Sequence, residues 1–219
     1  QCACYPPRGK DRTSYAVKRD LRKYSIENAA VYRRMCTAAF LRRNRMKRIA
    51  KFHKVSRERF LKDWKDKFPE TSEKEILEIY DGISLPKRAT AGSAGYDFFA
   101  PADVTLAPGE IITIPTGIRA QMQEEWVLKC YPRSGLGFKY RLQLNNTVGI
   151  IDSDYFYSDN EGHIFVKLTN DGREGKTVEI PAGTGFMQGI FVEYGITVDD
   201  DASAVRNGGL GSTTEKKAK

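Results

Sequence analysis

A chain of 219 residues, 40% hydrophobic and 29% charged, has enough apolar material for one domain with a real core plus an appendage. It contains no apolar run as long as a membrane span. The net charge of +8 joins two unlike parts: residues 1–67 hold 21 Lys+Arg against 6 Asp+Glu, a net +15, and residues 68–219 hold 15 against 22, a net −7. A uniformly basic nucleic-acid binder is therefore excluded, because the larger part is mildly acidic. The four cysteines (Cys2, Cys4, Cys36, Cys130) form no CxxC pair, and His53 and His163 are the only histidines. Neither a structural zinc site nor a disulfide scaffold is expected, and a reducing cytoplasm is the expected location.

Residues 1–45 open with Cys-Ala-Cys-Tyr-Pro-Pro and become Arg-rich and helix-permissive, as at Arg33-Arg34 and Arg42-Arg43-Asn44-Arg45. No secretory apolar region is present. The segment reads as a poorly ordered or non-native extension, with Met46 a candidate start. A transit-peptide character and an electrostatic contact to nucleic acid remain open for it, and only for it.

Residues 46–82 are expected to be a helical lead-in. Ser56 is a candidate N-cap, Phe60, Leu61, Trp64 and Phe68 share a helical face, and Pro69 stops it. Ser72 and Glu75 fit a capping box, Ile76, Leu77, Ile79 and Tyr80 supply an apolar face, and Gly82 ends the second helix.

Beyond Leu85-Pro86 the pattern is β. Strands are expected at Val104–Leu106 and Ile111–Pro115, joined by a tight Pro108-Gly109 turn, then at Trp126–Tyr131, Leu142–Val148, Ile164–Thr169, Val178–Ile180 and Gly189–Tyr194. No helical period longer than a turn interrupts them, so residues 83–198 read as an all-β sandwich or jelly roll. Residues 199–219 lose periodicity and end in a glycine-rich tail, Arg206 to Thr213, whose amides and hydroxyls suit a triphosphate.

Candidate chemistry gathers in Leu142 to Tyr155, where an apolar run ends at Asp152, Asp154 and Tyr155, with Asn145 and Asn146 just before it. An amide reads a base edge, a carboxylate orients or deprotonates water, and an aromatic ring stacks. Five patches then follow one another: Ala94 to Phe98, Pro132 to Gly137, Asn146 to Tyr155, Gly185 to Gly189, and Arg206 to Thr213. In this order and spacing they resemble the five motifs of the trimeric dUTP pyrophosphatases (dUTPases), bacterial type, over roughly residues 83 to 214.

The resemblance implies an all-β, dUTPase-like jelly roll with a short helical N-terminal segment, in a homotrimer with three shared sites and a tail that closes over the nucleotide. It implies hydrolysis of dUTP to dUMP and pyrophosphate with Mg²⁺. Asp152 would be the general base for water attacking the α-phosphorus. Tyr155 would lie flat on the deoxyribose and leave no room for a 2′-hydroxyl, while Asn146, with backbone around Gly149 to Ile151, would read the uracil edge. Arg133, Ser134, Gly135 and Gln188 would hold phosphates, Asp97 would hold the metal through its water shell, and Arg206, Gly211, Ser212 and Thr213 would clamp from the tail.

Two positions depart from the family pattern. Leu210 stands where a stacking aromatic is usual, a loss on the order of 0.5–1.5 kcal/mol that predicts a looser lid and a higher KM, lowered in a Leu210→Phe variant. The link Phe156 to Glu161 after Tyr155 is longer than in the shortest members and is expected as a surface loop beside the site. Two rival readings are a dCTP deaminase of the same fold and a regulatory or nucleic-acid-binding protein on this scaffold.

Overall fold

Two capped helices stand where the sequence pattern puts them, but a strand precedes them that the pattern does not announce. The computed structural model describes residues 47–207. The readings placed on residues 1–45 and on Leu210, Gly211, Ser212 and Thr213 lie outside the described residues.

Strand β1 (Ala50–Lys54) pairs antiparallel with β5 (Ile118–Met122), Phe52 opposite Ala120. The helical lead-in is thus corrected: its first turns are extended. The segment holds a single apolar side chain facing inward, Phe52, and pairing with a strand nearly seventy residues away decides its conformation. Helix α1 (Arg57–Lys67) begins at Ser56, whose hydroxyl accepts from the Arg59 N–H, and α2 (Glu73–Gly82) begins at a complete Ser72–Glu75 capping box. Phe60, Trp64 and Ile76 are buried beneath them. The Phe60 ring stands 5.2 Å from Trp64 and 5.5 Å from Tyr80, so the two helices share one aromatic seam.

The remaining strands form an all-β, jelly-roll-like body of antiparallel pairs. Four strands are ordered β2 (Tyr96–Phe99), β11 (Gly185–Glu193), β6 (Trp126–Pro132), β8 (Gly149–Ile151). Three more are ordered β4 (Ile111–Pro115), β9 (Phe165–Asn170), β7 (Leu142–Leu144), and β3 (Val104–Leu106) pairs with β10 (Val178–Ile180). Between them lie Phe98, Ile114, Leu128, Leu142, Leu168, Ile180 and Phe186, all essentially inaccessible.

Three expectations change in detail. The tight turn is present, with Gly109 at φ +82, but β3 and β4 pair with different partners and make no hairpin. The run Leu142–Val148 is not one strand: β7 ends at Leu144, and the chain turns through Thr147 at φ +65 before β8 begins in another sheet. A helix also interrupts the β pattern, α3 (Ser134–Tyr140), which fully buries none of its residues and packs Leu136 and Tyr140 half-buried against the core, too short a run to read as a period.

Candidate active site

Strand pairing brings three of the five patches to one cavity. Gln188 on β11 stands in register with Asp97 on β2 on one side and with Tyr131 on β6 on the other. Chain continuing from β6 carries Arg133 and Ser134 to the same place. With Ala89, Ser93, Ala94, Gly95 and Ile190 these residues line a cavity of about 390 Å³.

Arg133 is fixed there by three contacts: its Nε lies 3.4 Å from Asp97, its Nη1 donates to the Gly185 carbonyl at 3.2 Å, and its N–H donates to the Phe186 carbonyl at 3.3 Å. Gln188 Nε2 reaches the Pro132 carbonyl at 3.5 Å. Two glycines let these side chains come close. A Cβ on Gly95 would stand 2.7 Å from Gln188 Oε1, and one on Gly185 would stand 2.6 Å from Arg133 Nη1. Ser134 and Gly135 open α3, whose first turn no side chain caps, so their N–H groups are free of an intrahelical partner. Ser93, which the patches leave out, joins this cavity from the loop before β2.

The other predicted residues gather elsewhere. Asn146 sits exposed in the β7–β8 turn, and the Val148 N–H donates to its carbonyl at 2.6 Å. Thr147 beside it is a β-branched residue in the left-handed region, a conformation that costs energy and that the surrounding turn must enforce. Gly149 approaches Cys130 so closely that a Cβ would lie 3.1 Å from the cysteine Cβ. Cys130 itself is an inert structural thiol, pushed up to about 12 by burial.

Ile151 ends β8, and Asp152 heads a 3₁₀ turn, Ser153–Tyr157. Arg206 closes over both acids there: its Nη2 donates to Asp152 Oδ2 at 2.5 Å and its Nε to Asp154 Oδ1 at 2.8 Å. Sequence reasoning assigned Asp154 no chemistry; here it holds the tail arginine. Tyr155 is buried, its hydroxyl donating to the His163 carbonyl at 2.8 Å and accepting from Asn160 Nδ2 at 2.7 Å, and burial raises its pKa above the ordinary tyrosine value.

One chain does not join these two groups. In the β6–β8 ladder Leu128 faces Ile151 and Cys130 faces Gly149, so Asp152 comes level with Val127, near the Trp126 end of β6, while Arg133 follows its opposite end. Six residues of strand at about 3.3 Å each put roughly 20 Å between the carboxylate and the arginine loop. Among the described residues no group of three His, Cys, Asp or Glu is placed to hold a metal ion, and no helix is long and apolar enough to cross a membrane.

The chain is similar to known proteins over the part that carries these groups. Residues 81–214 match the model of the dUTPase family. A deoxyuridine 5′-triphosphate nucleotidohydrolase of Lactococcus lactis is 45% identical over 135 residues, which is 60% of this chain and 89% of that protein. The corresponding protein of an Enterobacter species is 39% identical over 140 residues, 60% of this chain and 88% of its own length. Among solved structures, a dUTPase from Streptococcus mutans aligns with a TM-score of 0.50 at 33% identity, covering 67% of this chain and 97% of that one.

Proposed function

The chain belongs to the dUTPase family, and from that premise we propose how it hydrolyses dUTP to dUMP and pyrophosphate: in a homotrimer, with each site shared between subunits. The observation that carries this reading is the placement of Asp152 and Arg133 toward opposite ends of β6. A general base acts only within hydrogen-bond reach of its water, and the phosphate group under attack must lie beside that water. Roughly 20 Å of strand separates the two groups in one chain, so Asp152 of one subunit must meet the Arg133 cavity of another. Exposed apolar residues favour such packing: Phe138 on α3 is 91% exposed and Tyr157, two residues past Tyr155, is 74% exposed.

In this reading the nucleoside lies against the Asp152 half. Asn146 and the backbone of Gly149 to Ile151 pair with the uracil edge, and Tyr155 lies under the deoxyribose. The triphosphate enters the cavity of Arg133, Ser134, Gly135 and Gln188, where fixed donors meet the charge that develops on the phosphoryl oxygens. Asp152 takes the proton of the attacking water. Its hydrogen-bond partner Arg206 leaves it for the phosphates when substrate arrives, together with Gly211, Ser212 and Thr213 of the tail and Leu210 over the uracil.

Asp97 is the acid in the phosphate cavity, and a single carboxylate beside a guanidinium fits a hard cation that arrives on the triphosphate and keeps most of its water. Mg²⁺ bound in that way supplies charge neutralisation at the phosphates. The absence of a long apolar helix from the described residues suits work on free nucleotides in the cytoplasm.

The test is pyrophosphate release from dUTP with Mg²⁺, set against dTTP, dCTP and UTP, for the unmutated chain and Asp152→Asn. Cleavage of dUTP alone, lost in the variant, is expected. Ammonia release from dCTP would instead favour the deaminase, and no cleavage of dUTP would overturn the reading. Mixing Asp152→Asn subunits with Arg133→Ala subunits tests the sharing, because mixed trimers regain some sites with both groups intact.

A further inference from the structure

Helix α1 lies before the stretch that matches the family model, which begins at residue 81. Yet one of its faces is turned toward the loop that follows Tyr155. Ser56, Arg59 and Asp63 stand at i, i+3 and i+7, a single stripe on the helix. The Ser56 N–H and hydroxyl both donate to the Glu161 carboxylate, at 2.8 and 2.6 Å. Arg59 Nη2 donates to the Asp159 carbonyl at 2.7 Å. Asp63 Oδ2 lies 2.7 Å from His163 Nδ1. His163 is fully buried and its Nε2 accepts from the Gly117 N–H at 2.8 Å, so the ring proton sits on Nδ1 and donates to Asp63.

The loop held in this way returns directly onto Tyr155. Its hydroxyl is gripped from two sides, by the His163 carbonyl at 2.8 Å and by the Asn160 amide at 2.7 Å. Asn160 is set in turn by the Gly162 N–H, which donates to its Oδ1 at 3.1 Å. Gly162 has φ +67, and a Cβ there would stand 2.6 Å from the Tyr155 carbonyl oxygen, so no other residue fits. A tyrosine ring has two soft torsions: anchoring the far hydroxyl fixes where the ring points, and burial of Tyr155 limits its turning about its own axis. A wall excludes an extra hydroxyl on its ligand only as far as the wall cannot yield.

We propose that α1 is a positioning element for Tyr155, and that the loop it holds, Asp159 to His163, sets how strongly ribonucleotides are refused. This inference rests on the reading of Tyr155 as the surface under the deoxyribose. Asp63, Asn160 and His163 act through Tyr155 and touch no substrate.

The experiment measures KM and kcat for dUTP and the Ki of UTP as a competitor, on the full 219-residue chain. Asn160→Ala is expected to leave kcat within about twofold while the ratio of UTP Ki to dUTP KM falls about tenfold, the equivalent of one neutral hydrogen bond. Tyr155→Phe, which keeps the ring and loses both hydroxyl contacts, is expected to lower the ratio by a similar factor. Asp63→Ala shifts the ratio the same way by about threefold, and Asp63→Asn, whose amide oxygen still accepts from His163, restores it. If Asn160→Ala and Asp63→Ala weaken dUTP and UTP in proportion, or if Asp63→Asn behaves like Asp63→Ala, the inference is overturned and α1 is only structural. Tyr155→Leu separates the two levels: if removing the ring leaves the ratio unchanged in a variant that still melts cooperatively, the reading of Tyr155 itself fails.

Discussion

The two half-sites on this chain are built in opposite ways. Around Arg133 the groups sit on paired strands: Asp97 and Gln188 face each other across β2 and β11, and Arg133 is tied to Gly185 and Phe186 on β11. Around Asp152 they sit on a turn, a 3₁₀ segment and the start of a tail, with the Asp152 and Asp154 side chains 44% and 52% exposed. A ladder of backbone bonds fixes the first half before any ligand arrives, as suits a site that must meet a triphosphate's charge with donors already in place. The second half carries the proposed base, which Arg206 occupies, so in that reading it must change partners to work. Preorganisation and exchange are thus divided between the two ends of β6.

The sharpest break in that comparison is at the base. Asp152→Asn should lower dUTP hydrolysis by roughly 10²–10⁴-fold, measured as pyrophosphate release, while thermal stability stays near that of the unmutated chain. Two glycine substitutions then test the difference in build. Gly162→Ala forces a Cβ against Tyr155 and Phe156 backbone at positive φ, and should destabilise by about 2–3 kcal/mol in denaturant unfolding. Gly95→Ala meets only the end of the flexible Gln188 side chain, so stability should change by less than about 1 kcal/mol while the KM for dUTP rises. Equal losses of stability would erase the contrast.

A pH measurement sharpens the part played by the Tyr155 loop. Burial opposes ionisation of Glu161, but the Ser56 hydroxyl and N–H, with Arg119 and Arg59 nearby, hold its carboxyl below the usual 4.5. A lowered folded value means the stabilisation is complete above pH 4.5 and is lost as pH falls through the lowered value. The Tm difference between the unmutated chain and Glu161→Gln should therefore shrink in acid; a widening gap would contradict the assignment. The smallest effect is expected at the arginine itself. Asp154→Asn removes one arm of an exposed pair, worth at most about 1 kcal/mol, and should lower the KM for dUTP by no more than about fivefold as Arg206 is released more easily.

Much of this was readable along the chain. Ser56, the Ser72–Glu75 box and Pro69 are local signals, and they mark α1 and α2 where they occur. The strands at 104–106 and 178–180 alternate strictly, the one at 111–115 is a β-branched run ending in proline, and all three appear at those residues. What stayed hidden has a common cause. Strand β1 offers one inward apolar residue, α3 only a half-buried pair, Leu136 and Tyr140, and the break at Thr147 uses a β-branched residue where a glycine would have signalled it.

Sequence alone determined the family and nominated the groups proposed to carry the chemistry, because residue type and order within a motif are properties of a few neighbouring positions. Tertiary structure alone decided where they stand. Antiparallel pairing reverses chain direction, so β8 carries Asp152 away from the loop that β6 delivers. Side-chain bonds across a hundred residues, such as Asp63 to His163, then tie helix α1 to the loop that follows Tyr155. No local pattern encodes either result, since both depend on which distant strand or loop finally packs alongside.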